Sequence, residues 1–171
     1  VQDCLDPEHR PKYERLGPNT FVILRAVDEN APPHADTAQQ LTRKVALFFG
    51  KEFLITIHRA PMSFLDALEA KARAAPPELP TQCAPHVLAV ANGVIDTFWK
   101  PLDEAESLVS SLEDRQVRFK DRRQVIRRTF ELKRRMNALR ITARHTLETV
   151  KRMATSAEDH LPSSPFLNDL K

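Results

Sequence analysis

From His86 onward, apolar residues recur every three or four positions, and Pro101 is the one proline set within the pattern. Val87, Val90, Val94, Phe98, Leu102, Ala105, Leu108 and Leu112 form a first stripe. A strongly polar stretch over residues 113–123 follows. Ile126, Leu132, Met136, Leu139, Ala143, Leu147, Val150 and Ala154 then form a second stripe. This spacing gathers side chains on one face of an α-helix. Each stripe predicts one long helix, and the polar stretch predicts a turn that folds them into an antiparallel hairpin.

Charge divides between the two helices. Residues 96–114 carry Asp96, Asp103, Glu104, Glu106, Glu113 and Asp114 against Lys100 alone. Residues 115–152 carry fourteen Lys and Arg against Asp121, Glu131 and Glu148. The chain's near-balance of 26 basic and 23 acidic residues conceals this split. Exposed ion pairs contribute only a few tenths to about 1 kcal/mol each. The apolar seams must therefore hold the hairpin, while charge selects its orientation and its partners.

The part before His86 reads differently. Residues 1–19 are polar and turn-rich, with Asp6-Pro7 and Arg10-Pro11 favouring extended or turn geometry. Phe21-Val22-Ile23-Leu24 predicts a strand, and residues 28–38 a loop. Val45, Leu47 and Phe49 alternate, Gly50-Lys51-Glu52 turns the chain, and residues 53–58 return, which predicts a β-hairpin. Pro61 opens a short helix with Phe64, Leu65 and Leu68, ended by Pro76-Pro77. Residues 76–85 hold four prolines and read as a linker. Residues 156–165 are a second linker, after which Ser164 and Pro165 suit the start of a further helix.

Composition narrows the function classes. Three glycines leave no phosphate-binding glycine loop, and one Trp with one Tyr makes no base-stacking surface. Cys4 and Cys83 lack metal-ligand spacing and read as free thiols. The histidines show no paired ligand spacing, and no Ser-His-Asp order or Gly-x-Ser-x-Gly element occurs, so the chain does not read as an enzyme. No run of about 18 apolar residues occurs to span a bilayer. Val1 at the start, and a fresh pattern beginning just before Lys171, suggest a piece of a longer polypeptide.

Several segments, in order, resemble one family. Residues 1–14 are similar to the stretch of CorA-type magnesium transporters in which an acid precedes an Arg-Pro-Lys-x-Glu run, here Arg10-Pro11-Lys12-Tyr13-Glu14. Residues 48–58 resemble that family's hairpin. Residues 95–102 and 112–114 resemble its first long helix, and residues 132–134 and 140–153 its second. Pro165-Phe166-Leu167-Asn168-Asp169 looks like the start of its stalk helix. The Gly-Met-Asn signature of the family would lie beyond Lys171.

The resemblance implies an α/β (α+β) cytoplasmic domain on the inner-membrane face of a homopentameric divalent-cation channel. Its parts would be a partial mixed β-sheet with helices over residues 1–85, a long antiparallel helical hairpin over 86–157, and a linker with the start of a stalk helix over 158–171. It implies Mg²⁺, or Co²⁺, Ni²⁺ or Zn²⁺, held between subunits by Asp3 and Asp169, with Asp96 as a further contributor. Gln2 stands where a second ion site of the family would want an acid. The membrane would be reached through helices beyond Lys171, and the isolated piece would be a monomer or a non-native dimer. Without the resemblance, Asp3 and Asp169 are ordinary surface acids. Two alternatives stand beside this reading: the cytoplasmic domain of a ZntB-type zinc transporter, and a soluble helical module binding an acidic partner through residues 115–152. Nucleic acid is not expected, because the basic residues surround their helix and face an acidic one.

Overall fold

A computed structural model of the chain describes residues 9–74, 83–116 and 122–157. Four strands form one sheet in the order β1-β2-β3-β4: β1 Lys12–Leu16, β2 Asn19–Val27, β3 Thr42–Phe49 and β4 Leu54–His58. The helices are α1 Ala38–Leu41, α2 Ser63–Ala74, α3 Ala84–Asp96, α4 Trp99–Gln116 and α5 Arg122–Ala157. The α+β class agrees with expectation. Where a partial mixed sheet was expected, every described strand pairing is antiparallel.

β1 lies in the stretch read as polar and turn-rich. Its sequence KYERL lacks apolar alternation, so it gives no strand signal. It forms because Gly17, at φ +62°, makes the two-residue turn that lets Leu16 pair with Asn19. Tyr13 then packs on the core, while Lys12 and Glu14 share the other face in an ion pair at 2.8 Å. The β3–β4 hairpin stands as expected. Gly50 N donates to Phe53 O at 3.0 Å, and Phe49 pairs with Leu54.

The pleat sends Val22, Leu24 and Ala26 of β2, with Val45 and Leu47 of β3, onto one face. There they meet Leu65 of α2, Val87, Val90, Ala91 and Val94 of α3, and Val150 and Met153 of α5. A smaller cluster joins Ala35, Leu41 and Leu139, and Phe98 packs against both clusters. α2 and α3 approach closely at Gly93, where a Cβ would overlap the Phe64 ring.

The first apolar stripe, expected to lie on one long helix, is split between α3 and α4. Pro101 gives the reason: it has no N–H to bond the Thr97 carbonyl, and its ring collides with that carbonyl in a continuous helix. The chain leaves the helix at Thr97-Phe98 and restarts at Trp99, so that Pro101 sits in the first turn of α4, where it is tolerated. α4 and α5 run antiparallel. Phe98, just before α4, packs near Leu139, whereas Glu104, farther along α4, reaches back to Arg135 at 3.8 Å.

The second stripe also needs correction. Leu139 and Val150 are buried as expected, but Ile126 is 47% exposed and Leu147 is 52% exposed. The core-facing turns between them belong to Thr142, Thr146 and Thr149. Thr142 and Thr149 return their hydroxyls to the carbonyls of Ala138 and His145, each at 2.9 Å. This lets a polar residue present its methyl group to the core.

Candidate functional site

Of the three acids expected to hold a cation, Asp3 and Asp169 lie outside the described residues. Asp96 is exposed and is the last residue of α3. Among the described residues, no three His, Cys, Asp or Glu side chains gather in a metal-binding group. Asp96 would supply one ligand to an ion completed from elsewhere.

The setting of Asp96 suits a cation on two counts. The carboxylate is negative, and it stands at the C-terminal end of α3, where the unpaired carbonyls add partial negative charge. Other acids near the core are already engaged. Asp28 Oδ2 pairs with Arg43 Nε at 2.7 Å, Glu29 accepts from Ser63 Oγ, and Asp36 pairs with Arg134 at 3.3 Å. Among the described residues, Asp96 is in no ion pair.

Its neighbour Thr97, which the sequence reading passed over, fixes this corner. Thr97 Oγ1 donates to Val94 O at 2.6 Å and accepts from Val27 N at 2.9 Å. The break after Asp96 is thus tied to the end of β2. A hydroxyl residue four positions before Pro101 was the available signal.

The opposite face of the sheet has the reverse electrostatics. Arg25, 5% exposed, lies across from Lys44. Its Nε donates to Thr42 Oγ1 at 2.7 Å, its Nη1 to His9 O at 3.1 Å and its Nη2 to Thr42 O at 3.3 Å. Burial, and then the adjacent Arg43, hold its pKa below the ordinary arginine value. A cavity of about 320 Å³ opens there, and its lining includes Arg25, Arg43, Lys44, His58 and Arg59. That positive field disfavours any cation. Cys83, before α3, is buried, and burial pushes its thiol up to about 11. It is a poor thiolate ligand near neutral pH.

Comparison with known proteins was decided by the whole chain: residues 1–171 match the family described as CorA-like Mg²⁺ transporter protein. The chain belongs to that family. No curated protein sequence matches it significantly. Among solved structures, the soluble domain of CorA from Methanocaldococcus jannaschii superposes with a TM-score of 0.68 at 15% identity, covering 99% of this chain and 64% of that one. The ZntB cytoplasmic domain from Vibrio parahaemolyticus RIMD 2210633 gives 0.59 at 18% identity, covering 99% and 66%. The full-length CmaX protein gives 0.62 at 19% identity, covering 97% and 50%. The family's fold is thus shared, and this chain spans between half and two thirds of each solved chain's length. No described helix is long and apolar enough to cross a membrane.

Proposed function

We propose that the chain is the cytoplasmic, ion-sensing part of a divalent-cation channel or transporter, with Mg²⁺ as its ion. The supporting observation is the family match over residues 1–171, with a fold that superposes on the CorA soluble domain over 99% of this chain. Asp3 and Asp169 hold the ion between neighbouring subunits of a homopentamer, and Asp96 lends further negative charge. The pore lies in membrane helices beyond Lys171, and this part works on the cytoplasmic side of the inner membrane. Its role is regulatory rather than enzymatic.

Physical chemistry supplies the gating step. Two carboxylates about 4 Å apart repel by about 4 kcal/mol at an effective dielectric near 20. A hydrated divalent ion between them reverses that sign. Mg²⁺ keeps much of its water and needs only one or two carboxylates, so the site is weak and reversible, as a concentration sensor requires. Losing the ion restores repulsion at every subunit boundary and loosens the ring.

The ZntB likeness raises Zn²⁺ or another transition ion, Co²⁺ or Ni²⁺, as the cargo. The ligand chemistry favours Mg²⁺, because the candidate ligands are carboxylates and the buried thiol of Cys83 resists ionisation. Calorimetry on the pentameric protein tests the assignment. Asp3→Ala combined with Asp169→Ala should abolish Mg²⁺ heat, and unchanged binding would reject it.

A further inference from the structure

Asp96 is exposed, yet the chain on either side of it is held fast. Val94, two positions before it, is 0% exposed in the main core. Thr97, the next residue, donates its hydroxyl to Val94 O at 2.6 Å and accepts from Val27 N at 2.9 Å. Phe98 packs against both apolar clusters, and its N–H donates to Ile95 O at 3.0 Å, closing the last turn.

These anchors differ in kind. Apolar contact resists separation but has no direction. The bond from Val27 to Thr97 has one, and it joins residues 70 positions apart in the chain. Pro101 matters here too. It stops α3 from running on, so no further turn of helix stiffens the end at Asp96, and unsupported helix ends fray. At 3.6 residues per turn, Asp96 lies roughly 200° round the helix from Val94 and roughly 100° from Thr97. With those two fixed on the inner side, the backbone of Asp96 has one outward heading.

The geometry points to Thr97 as a positioning residue for Asp96: its hydroxyl, clamped between the Val27 N–H and the Val94 carbonyl, holds that acid in place for a divalent cation. This rests on the reading of Asp96 as a contributor to the ion site. A ligand that is already ordered gives up less freedom when the ion arrives. Groups that orient a metal ligand directly change affinity by about 10–100-fold when removed. Thr97 acts through the backbone rather than on the carboxylate, so a smaller effect, about fivefold, is expected.

Mg²⁺ calorimetry on the assembled protein, below its melting range, tests the proposal. Thr97→Val keeps the shape and drops the hydroxyl, and should weaken Mg²⁺ about fivefold. Thr97→Ser keeps the hydroxyl and should restore the affinity. In an Asp96→Asn background, Thr97→Val should have no further effect. Val150→Ala trims the same core at a distance from Asp96, and should lower the melting temperature while leaving the affinity alone. If Asp96→Asn weakens binding but Thr97→Val does not, the positioning role is overturned and the reading of Asp96 stands. If Asp96→Asn leaves binding unchanged, that reading falls and the positioning role with it. Equal losses of affinity in Val150→Ala and Thr97→Val would also overturn the proposal, since both would then report lost stability.

Discussion

α3 and α4 carry one continuous apolar rhythm, yet they meet different fates. Val87, Val90 and Val94 of α3 are buried against the sheet, while Leu102 and Leu108 of α4 are 46% and 39% exposed. Spacing fixes which face of a helix is apolar, but it does not say what that face will meet. Pro101 sets the boundary. Before it, the helix is pinned to β2 through Thr97 and to α2 through Gly93. Beyond it, α4 leans on α5 at the edge of the fold, where acidic and basic side chains dominate.

Substitutions on either side of that boundary should separate the two helices by the size of their effect. Val94→Asp buries a charge with no partner and should cost about 4 kcal/mol, enough to abolish cooperative unfolding in urea. A smaller effect is tied to Cys83 at the start of α3, whose folded-state pKa is raised by burial. Below pH 9 both folded and unfolded thiols keep their proton. Between about 9 and 11 only the unfolded one ionises, so stability should fall as pH rises, by on the order of 2 kcal/mol. Cys83→Ala should remove that part of the pH dependence, as read from urea melts at pH 8 and pH 11.

Thr97→Val keeps the shape and deletes the hydroxyl, leaving the Val27 N–H without its acceptor. It should cost about 1–2 kcal/mol. Leu108→Ser, on the exposed side of the boundary, should stay within about 0.5 kcal/mol. A Leu108 effect as large as that of Val94 would show that α4 has a buried partner comparable to the one α3 has.

Strand β2, the β3–β4 pair and the two-helix hairpin are written in local pattern: β-branched runs, a glycine-bearing turn, and apolar residues at helical spacing. β1 is not, because KYERL owes its strand to a glycine turn and to the neighbouring strand rather than to its own composition. The buried side of α5 escaped for a related reason. Thr142 and Thr149 satisfy their hydroxyls on their own helix and then pack like small apolar residues, which a hydrophobic count misses. Thr97 and Arg25 were equally hidden, since their importance comes from hydrogen bonds to Val27 and Thr42 that only tertiary folding creates. The candidate ion site rests on family resemblance alone, and two of its three acids lie outside the described residues. Asp96 is an exposed helix-terminal acid, and nothing in its local sequence distinguishes it from Asp103 or Glu106.

Ligand-induced stabilisation of the assembled protein probes the ion-sensing account most directly. If Mg²⁺ bridges subunits through these acids, raising it from chelated to 100 times the dissociation constant should stabilise the ring by about 2.7 kcal/mol per independent site. Asp3→Ala with Asp169→Ala should flatten that response. An assembly whose melting temperature ignores Mg²⁺ over the whole range would contradict the account.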